Sequence, residues 1–400
     1  MRLLLKLRLL LNWRLQRIIP AVLAALSVTL ASVSTPIPLI ALPQAEAAVY
    51  TGGYSTATGS TDTAVTVTNL TELKNAFNAG KHHIIISGNI YGGSSLTTLT
   101  FASTSWNNVT IEGAGGGGAV LQNIQLKFSG EQLAAGTNIQ NVVIKNITFY
   151  GNISDLQKMS GAATQPGGAG TNYLGVSFRR TTNVWVDHCT FYNISDDLMS
   201  VSLASDNVTI SYCHFYFTSS WLNMNPNPIW NWVGTNQDLA SERLAMVIGA
   251  NYSDSYTYGG GKLHVTMHHN WFGPNLKGRP LMRGFVHLYN NYFDNSTTPS
   301  GTNAAGYSQT QYNANQIGSG SVIYSEGNYF YKTNQSNQIG LDDSTHKAYS
   351  FYERNNTYNA ATGTSAAGAY YPSALPFSYS YSPIASGNVP AVVQANAGPK

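Results

Sequence analysis

Charged residues are scarce in this sequence. Only 10% of its 400 residues are Asp, Glu, Lys or Arg, and the formal net charge is +3. A protein that binds nucleic acid carries Lys and Arg in broad patches. We therefore predict no nucleic-acid partner, and any anion-binding site must be a local cluster of cations.

Several other signatures are missing as well. The sequence has two cysteines, and no spacing of His and Cys resembles a zinc site. The glycine-rich run GAGGGG at 113–118 lacks the ending and the following helix of a phosphate-binding loop. The one convincing helical pattern is short and is predicted at 71–80, where Thr71 opens TELKNAFNAG. These absences disfavour an α/β fold.

Long apolar runs are missing beyond the N-terminus. There, IIPAVLAALSVTLASV follows a basic stretch and precedes the small-residue sequence AEAA at 45–48. This order predicts a secretory signal peptide at 1–47, a mature domain at 48–400 and a secreted protein. An uncleaved membrane anchor is the alternative, because the basic stretch is long. No membrane association is predicted after cleavage.

The leader also carries the positive charge. Residues 1–47 hold five Lys or Arg and one Glu, which leaves the rest of the chain at about −1. What is abundant in that remainder is glycine, tyrosine, Asn, Ser and Thr, with 38 Gly and 25 Tyr in the whole chain. This composition is typical of a β-rich exported protein.

The sequence repeats one short pattern. Alternating apolar residues lead to a small residue, and an aromatic ring follows two positions later. The copies are NVVIKNITFYG, NVWVDHCTFYN, NVTISYCHFYF, HVTMHHNWFGP, VHLYNNYFDN, VIYSEGNYFYK and SFYERNNTYNA. Their aromatic residues are Phe149, Phe191, Phe215, Phe272, Phe293, Phe330 and Tyr358. Repeats of this kind bury their apolar faces by stacking on their neighbours.

The spacing of these aromatic residues indicates the coil length. Successive gaps are 42, 24, 57, 21, 37 and 28 residues. The short gaps suit one turn of a right-handed parallel β-helix. The long gaps suit either a turn with a loop insertion or two turns of which one has lost the pattern.

The residue two positions before the aromatic ring is predicted to form a ladder. These residues are Cys189, Cys213, Asn270, Asn291, Asn328 and Asn356. Stacked Asn amides bond to backbone and to one another, so we interpret them, and the neighbouring His268, His269 and His287, as structural. The two cysteines should lie in adjacent coils, where a disulfide is conceivable. Free, buried thiols are slightly favoured.

The order of these motifs resembles the pectate lyase family, which includes pectin lyases and related pollen allergens. NVWVDHCTF, SDDLMSVSLASDNVTISYCHF, VTMHHNWF, GRPLMRG and VHLYNNYF follow one another as they do in that family, and the resemblance covers about residues 70–395. It implies an all-β, single-stranded right-handed parallel β-helix with a groove along one face.

The resemblance also implies cleavage of polygalacturonate by β-elimination. A base removes the C5 proton of a uronate, and positive charge stabilises the anion that develops. Arg279 looks like the family base and Arg283 like the arginine that grips a substrate carboxylate. An arginine base requires surroundings that disfavour its cation. The segment is about two residues shorter than the family pattern R-x-P-x-x-R with its following gap, and Lys277 is expected to be solvated.

The resemblance is weaker at the calcium site and at the family's substrate lysine. A strict count places Leu174 and Ser200 where the calcium-dependent members have acids. Asp196, with Asp197 beside it, is what the resemblance leaves as the candidate metal site for Ca²⁺, which prefers six to eight oxygen ligands. The lysine position falls on Leu244, with Arg243 next to it as the substrate-binding candidate.

Two further groups of residues have open interpretations. Trp221, Trp230 and Trp232 lie in an insertion, where they either stack on sugar rings or pack the loop. Asp187 and His188 look catalytic in isolation, but the family resemblance makes them an internal support for the groove.

Three functions remain in competition. The first is a secreted, monomeric lyase acting on a pectic polysaccharide, with the missing acids favouring metal-independent action on methylated pectin. The second is a polygalacturonase-type hydrolase, which requires paired carboxylates and is suggested by Asp196 and Asp197. The third is a non-catalytic polysaccharide binder that keeps the scaffold.

Overall fold

The chain winds through three parallel β-sheets. A computed structural model describes residues 52–158, 173–230, 237–297, 312–339, 345–346, 348–363 and 376–400. The predicted signal peptide lies outside these residues. Each coil gives a strand to sheet 1, then to sheet 2, then to sheet 3, and the next coil stacks on it in parallel. This is a right-handed parallel β-helix and confirms the predicted fold class.

The strands of each sheet follow chain order along the helix axis. Within the described residues, sheet 1 consists of Val65–Val67, His83–Ile86, Val109–Gly113, Ile139–Lys145, Thr181–Asp187, Asp206–Ser211, His264–His268, Phe285–Tyr289, Val322–Glu326 and Ser350–Arg354. Sheet 2 consists of Asn89–Tyr91, Val120–Gln122, Thr148–Tyr150, Thr190–Tyr192, His214–Tyr216, Trp271–Phe272, Tyr292–Asp294, Tyr329–Tyr331 and Thr357–Asn359. Sheet 3 consists of Thr97–Phe101, Ile124–Ser129, Val176–Arg179, Met199–Ser202, Met246–Ile248, Leu281–Met282, Asn313–Ile317 and Asn334–Ile339. A separate antiparallel pair joins Ile229–Trp230 to Gln237–Asp238.

Helices are short and lie outside the coils. The α-helices of the described chain are α1 (Leu70–Asn78), α2 (Ile153–Gln157), α3 (Ser219–Leu222) and α4 (Val389–Asn396). Single 3₁₀ turns occur at Thr104–Trp106, Gly130–Gln132, Leu239–Ser241, Tyr252–Asp254 and Ser386–Asn388. In this part of the chain, no helix is long and apolar enough to cross a bilayer.

The helix predicted at 71–80 is confirmed as α1, with one correction at its start. Its N-cap is Asn69, whose side-chain oxygen accepts a hydrogen bond from the Glu72 amide at 3.0 Å. The sequence pattern did not indicate α4, whose Val389 and Val393 pack beside Tyr292 of sheet 2. This apolar face replaces solvent on the outside of the sheet.

The repeated aromatic residues form one stack through the core. Adjacent rings, from Phe149 to Tyr358, lie nearly parallel with centroids 4.7 to 5.2 Å apart. Phe149 pairs directly with Phe191, and Phe215 with Phe272. The long gaps of 42 and 57 residues are therefore single turns that carry insertions, and no coil with a lost pattern intervenes.

The asparagine ladder is also confirmed. The Asn291 side-chain oxygen accepts bonds from the Asn270 amide and side-chain nitrogen, both at 3.0 Å. Asn328 Oδ1 receives the equivalent bonds from Asn291 at 2.8 and 3.0 Å, and Asn356 Oδ1 those from Asn328 at 2.9 and 3.3 Å. Each buried amide thus satisfies backbone groups of the preceding coil.

The two cysteines occupy adjacent coils as predicted, and both are free and buried. Burial raises the pKa of the Cys213 thiol well above its ordinary value, and the neighbouring Cys189 raises it further. Because the thiolate is the reactive form of cysteine, this shift makes Cys213 unreactive, and both cysteines pack in the core.

Buried histidines surround the same turn. His268 and His269 lie with their Nδ1 atoms 3.0 Å apart, and His287 is completely buried within sheet 1. Burial lowers the pKa of His269 and of His287 to about 4. They are neutral structural groups near pH 7, in agreement with the structural interpretation.

Candidate active site

The predicted site residues meet on the edge of sheet 3. Asp196 and Asp197 precede the strand Met199–Ser202, and Arg279 precedes Leu281–Met282. A parallel bridge between Leu244 and Gly278 holds the intervening coil in register. Coil stacking therefore brings together side chains that are 82 residues apart in the sequence.

The central contact is an ion pair between Asp197 and Arg279. Arg279 Nη1 donates to Asp197 Oδ2 at 2.7 Å, and the two side chains are 21% and 7% exposed respectively. Arg279 has a backbone φ of +78°, in the left-handed region that costs a residue with a Cβ about 1–2 kcal/mol. Strain of this kind often accompanies functional positions. The ion pair favours the charged guanidinium, in contrast to the surroundings expected for an arginine base.

The carboxylates of this cluster are poorly solvated. Burial raises the pKa of Asp197 to about 6 despite the opposing charge of Arg279, and Glu242 raises it further. The pKa of Asp196 is raised well above its ordinary value by burial and by the charge of Asp197. Asp197 Oδ1 is buried without a hydrogen-bond partner. A buried oxygen without a hydrogen-bond partner lowers the stability of the protein, and other interactions of the fold must compensate for it.

Glu242 is a site residue that sequence reasoning missed. Its Oε1 lies 3.8 Å from Lys277 Nζ, and the Lys277 side chain is 25% exposed. The count along the sequence that points to Leu244 also brings in its neighbour Arg243. Glu242 is one residue before Arg243, so the same count extended by one residue would have included it. Lys277 is therefore paired within the cluster, whereas we expected it to be solvated.

Arg283 lies under the same site. Its Nη1 donates to the Gly249 carbonyl at 2.5 Å, and its own carbonyl accepts from the Tyr256 amide at 2.8 Å. Its charge lowers the pKa of Asp197, so it acts on the same carboxylate as Arg279. The side chain is buried, at 7% exposure, and it anchors the loop that begins at Gly249.

Arg243 does not lie where a substrate contact requires it. The side chain is fully buried, with Nε bonded to the Asn275 carbonyl and Nη1 to the Ala240 carbonyl, both at 2.9 Å. Burial lowers the pKa of its guanidinium to about 10. The prediction of a substrate-binding Arg243 is corrected here to a role in fixing the loop, because the charge is turned inward.

The donor set does not suit calcium. Ser200 and Leu174 are buried and contribute no carboxylate, and Asp197 is already paired with a guanidinium. A search of the described residues finds no group of three His, Cys, Asp or Glu that holds a metal. Calcium requires several anionic oxygens. The residues present therefore do not fit the calcium site that the family resemblance implied.

The remaining candidates lie elsewhere. Trp221 is fully buried against Phe217, so this ring packs the insertion and is unavailable to a sugar. Trp232 and the side chain of Trp230 lie outside the described residues. Asp187 ends a strand of sheet 1, where its carboxylate bonds to His188 Nδ1 at 2.7 Å. This pair belongs to the outer turn beside sheet 2, so it gives sheet 3 no direct support.

Comparison with known proteins identifies the family. The family model described as pectate lyase matches residues 17–220 and 235–400. A pectate lyase of Bacillus subtilis is 27% identical over 212 residues, which is 48% of this chain and 42% of the relative. A pectin lyase of Bacillus subtilis is 28% identical over 300 residues, 72% of this chain and 68% of the relative.

A solved structure supports the fold independently of sequence. The pectate lyase Bsp165PelA of Bacillus sp. N165, in complex with trigalacturonate, superposes with a TM-score of 0.56 at 18% identity, covering 87% of this chain and 98% of the other. The chain spans about two fifths of the length of the first pectate lyase relatives that it matches (42%, 34% and 39%). Because the family model covers most of the sequence, the chain belongs to the pectate lyase family.

Proposed function

We propose that this protein is a secreted polysaccharide lyase that cleaves a pectic polymer by β-elimination and acts as a monomer. The observation that carries the proposal is the Arg279 guanidinium, 21% exposed and held beside sheet 3 by Asp197 at 2.7 Å in a chain of the pectate lyase family. Secretion rests on the sequence pattern at 1–47.

In the proposed reaction Arg279 removes the C5 proton of a uronate unit. The C5–H electron pair forms a double bond between C4 and C5, and the glycosidic oxygen leaves C4 with the electrons of the broken bond and takes up a proton from water. The guanidinium must first lose a proton, and Asp197 Oδ2 is the acceptor within hydrogen-bond distance. Burial raises the pKa of that carboxyl to about 6, which makes it a better acceptor than an ordinary aspartate, although the guanidine remains the stronger base and the transfer is an uphill step. Arg283 supplies further positive charge for the developing anion.

A methylated pectin is the proposed substrate. Lys277 and Arg279 are each paired with a carboxylate of the cluster, which leaves less positive charge to attract a polyanion. Esterification removes the substrate charge that calcium would otherwise bridge. The relative named pectin lyase aligns over 300 residues and supports the same choice. We derive no step that uses a metal.

The test measures ultraviolet absorbance of the unsaturated uronate that elimination releases. The purified protein is mixed with methylated pectin and with polygalacturonate, each with Ca²⁺ and with EDTA. We expect absorbance to rise fastest on methylated pectin and to be unaffected by EDTA. Loss of activity in EDTA would contradict the metal-free assignment.

Flat traces with a folded protein would contradict the lyase itself. A reducing-sugar assay on the same tubes then separates the remaining functions. New reducing ends would indicate a hydrolase, although Asp196 and Asp197 are adjacent in sequence and one of them is bonded to Arg279. No new ends would indicate a polysaccharide binder.

A further inference from the structure

Two tyrosines form an exposed aromatic surface beside the proposed site. Tyr252 is 38% exposed and Tyr258 is 41% exposed, with ring centroids 6.4 Å apart. The His346 ring stacks on Tyr252 at 3.9 Å and meets the edge of Tyr258 at 5.1 Å. We call Tyr252, Tyr258 and His346 the tyrosine platform. Among the described residues, one other large hydrophobic side chain, Tyr91, is this exposed.

The loop that carries the platform is held rigidly. Asp254 accepts three backbone bonds, from Leu203 at 2.6 Å and from Ala204 and Ala250 at 2.8 Å. Thr257 donates through its amide to the Gly320 carbonyl at 3.0 Å. An exposed apolar surface on a fixed loop loses little conformational entropy on binding. The platform is therefore preorganised.

The loop that carries the two tyrosines is hydrogen-bonded to Arg283 of the proposed active site. The loop begins at Gly249, whose carbonyl accepts from Arg283 Nη1 at 2.5 Å. Tyr256, between the two exposed tyrosines, donates its amide to the Arg283 carbonyl at 2.8 Å. The two tyrosines lie on the loop after the sheet 3 strand Met246–Ile248, which pairs with the strand that Arg279 precedes, so a polymer that follows sheet 3 from Arg279 can reach this loop.

The chemistry of the platform favours a neutral sugar ring over a protein. Tyrosine rings offer an apolar face and a hydroxyl at low entropic cost. Two rings are too small for a stable protein interface, which buries about 800 Å² on each partner. One face of Tyr252 is covered by His346, so its opposite face and Tyr258 remain for stacking.

We propose that the tyrosine platform binds sugar units of a pectic chain beyond the cleavage point, as an additional subsite. This rests on the proposed function for the identity of the polymer. The subsite binds through stacking and therefore takes methylated units at least as well as charged ones. Chains too short to span both Arg279 and the platform gain nothing from it.

The test uses affinity electrophoresis in gels that contain methylated pectin or polygalacturonate. Every protein carries Arg279→Ala so that the polymer stays intact. We expect Tyr252→Ala/Tyr258→Ala to weaken retardation by pectin about tenfold, whereas Tyr252→Phe/Tyr258→Phe keeps it. Tyr91→Ala is the matched control, because this ring lies on sheet 2 and is 43% exposed. Kinetics in the active protein should show a higher KM on polymer, an unchanged kcat and unchanged turnover of trimers.

The outcomes separate this inference from the proposed function. If the wild-type chain does not cleave either polymer but the alanine variants lose retardation, the platform is supported and the lyase is overturned. If the wild-type chain cleaves pectin but the alanine, phenylalanine and control variants are retarded equally, the platform is overturned and the lyase is supported. A chain that no polymer retards would overturn the platform.

Discussion

The ladder turn and the sheet 3 edge are built from the same stacked coils but in opposite ways. Along the ladder, Asn270, Asn291 and Asn328 repeat one set of hydrogen bonds, coil after coil, without any charge. At the sheet 3 edge, Asp197 and Arg279 meet in a contact that no other described coil repeats, with a buried oxygen that lacks a partner. The repeated hydrogen bonds stabilise the fold, whereas the position at which the repeat is broken can hold residues that act on a substrate.

The largest effect is expected where the repetition is interrupted. Arg279→Ala removes the proposed base, and cleavage should fall by about 10²–10⁴-fold, the contribution typical of a general base. The circular dichroism spectrum of the folded protein should be unchanged, but we expect a lower Tm, because the change leaves the buried Asp197 carboxylate without its cation. Initial rates from uronate absorbance, with Tm from circular dichroism, check this.

Lys277→Ala is the matched control for that change. It removes a neighbouring cation whose side chain is 25% exposed and 3.8 Å from Glu242. The rate should change far less than in Arg279→Ala. Equal losses in the two variants would mean that charge alone, and not a base at 279, supports the reaction.

The next prediction concerns the stability that the ladder provides, and the change should not affect catalysis. Asn291→Ala strands two donors of Asn270 and the acceptors on Met267 and Asn328. We expect a loss of about 4 kcal/mol, or about 5 °C in Tm, from these unsatisfied buried groups. Asn359→Ala, at an exposed amide, is the control and should change Tm little. An unaltered Tm for Asn291→Ala would show that the ladder bonds contribute nothing.

These two regions also differ in how well sequence predicts them. The ladder and the aromatic stack were predicted residue by residue, because a repeated short-range pattern reports which side chains stack. Arg279 and Asp197 were singled out through the family resemblance, whereas their ion pair and the role of Glu242 were not predicted. Their contact depends on the lengths of the insertions between coils, which carry no periodic signal.

Arg243 is a second case in which the sequence did not predict the environment of a site residue. The count along the sequence falls on Leu244 with Arg243 beside it, and a shift of one residue turns a side chain from one face of a strand to the other. The sequence therefore placed a substrate contact where the structure has a buried guanidinium. The helix α4 was missed because its Ala- and Val-rich sequence has no strong helical periodicity.

Acid should weaken the histidine-rich turn beside the ladder. His287 has a folded pKa of about 4, against about 6.5 when unfolded, so the unfolded chain binds the proton first as pH falls. The stability that this group contributes is present above pH 6.5 and is lost towards pH 4. At pH 4.5 the loss is about 2–3 kcal/mol for this residue alone. Asp197, with its raised pKa, contributes the opposite slope between about pH 4 and 6.

Urea unfolding at pH 7.5 and 4.5 measures this difference. His287→Gln should lose less stability between the two pH values than the wild type, whatever its stability at pH 7.5. His82→Gln removes a half-buried imidazole at the start of the β-helix and serves as the control. A wild-type slope retained in His287→Gln would show that this histidine is not a source of acid sensitivity.

The smallest effect is expected from extending the ladder by one rung. Cys213 already occupies a ladder position, and its amide donates to Asn270 Oδ1 at 2.9 Å. In Cys213→Asn, the new amide nitrogen can donate to the Val186 carbonyl, which the thiol now approaches at 3.8 Å. Cys213→Asp has the same shape but no donor and buries a charge, so it should be strongly destabilised. We therefore expect Cys213→Asn to stay within about 1 kcal/mol of wild type, and a Tm as low as that of Cys213→Asp would mean that shape, not hydrogen bonding, decides which residue a rung accepts.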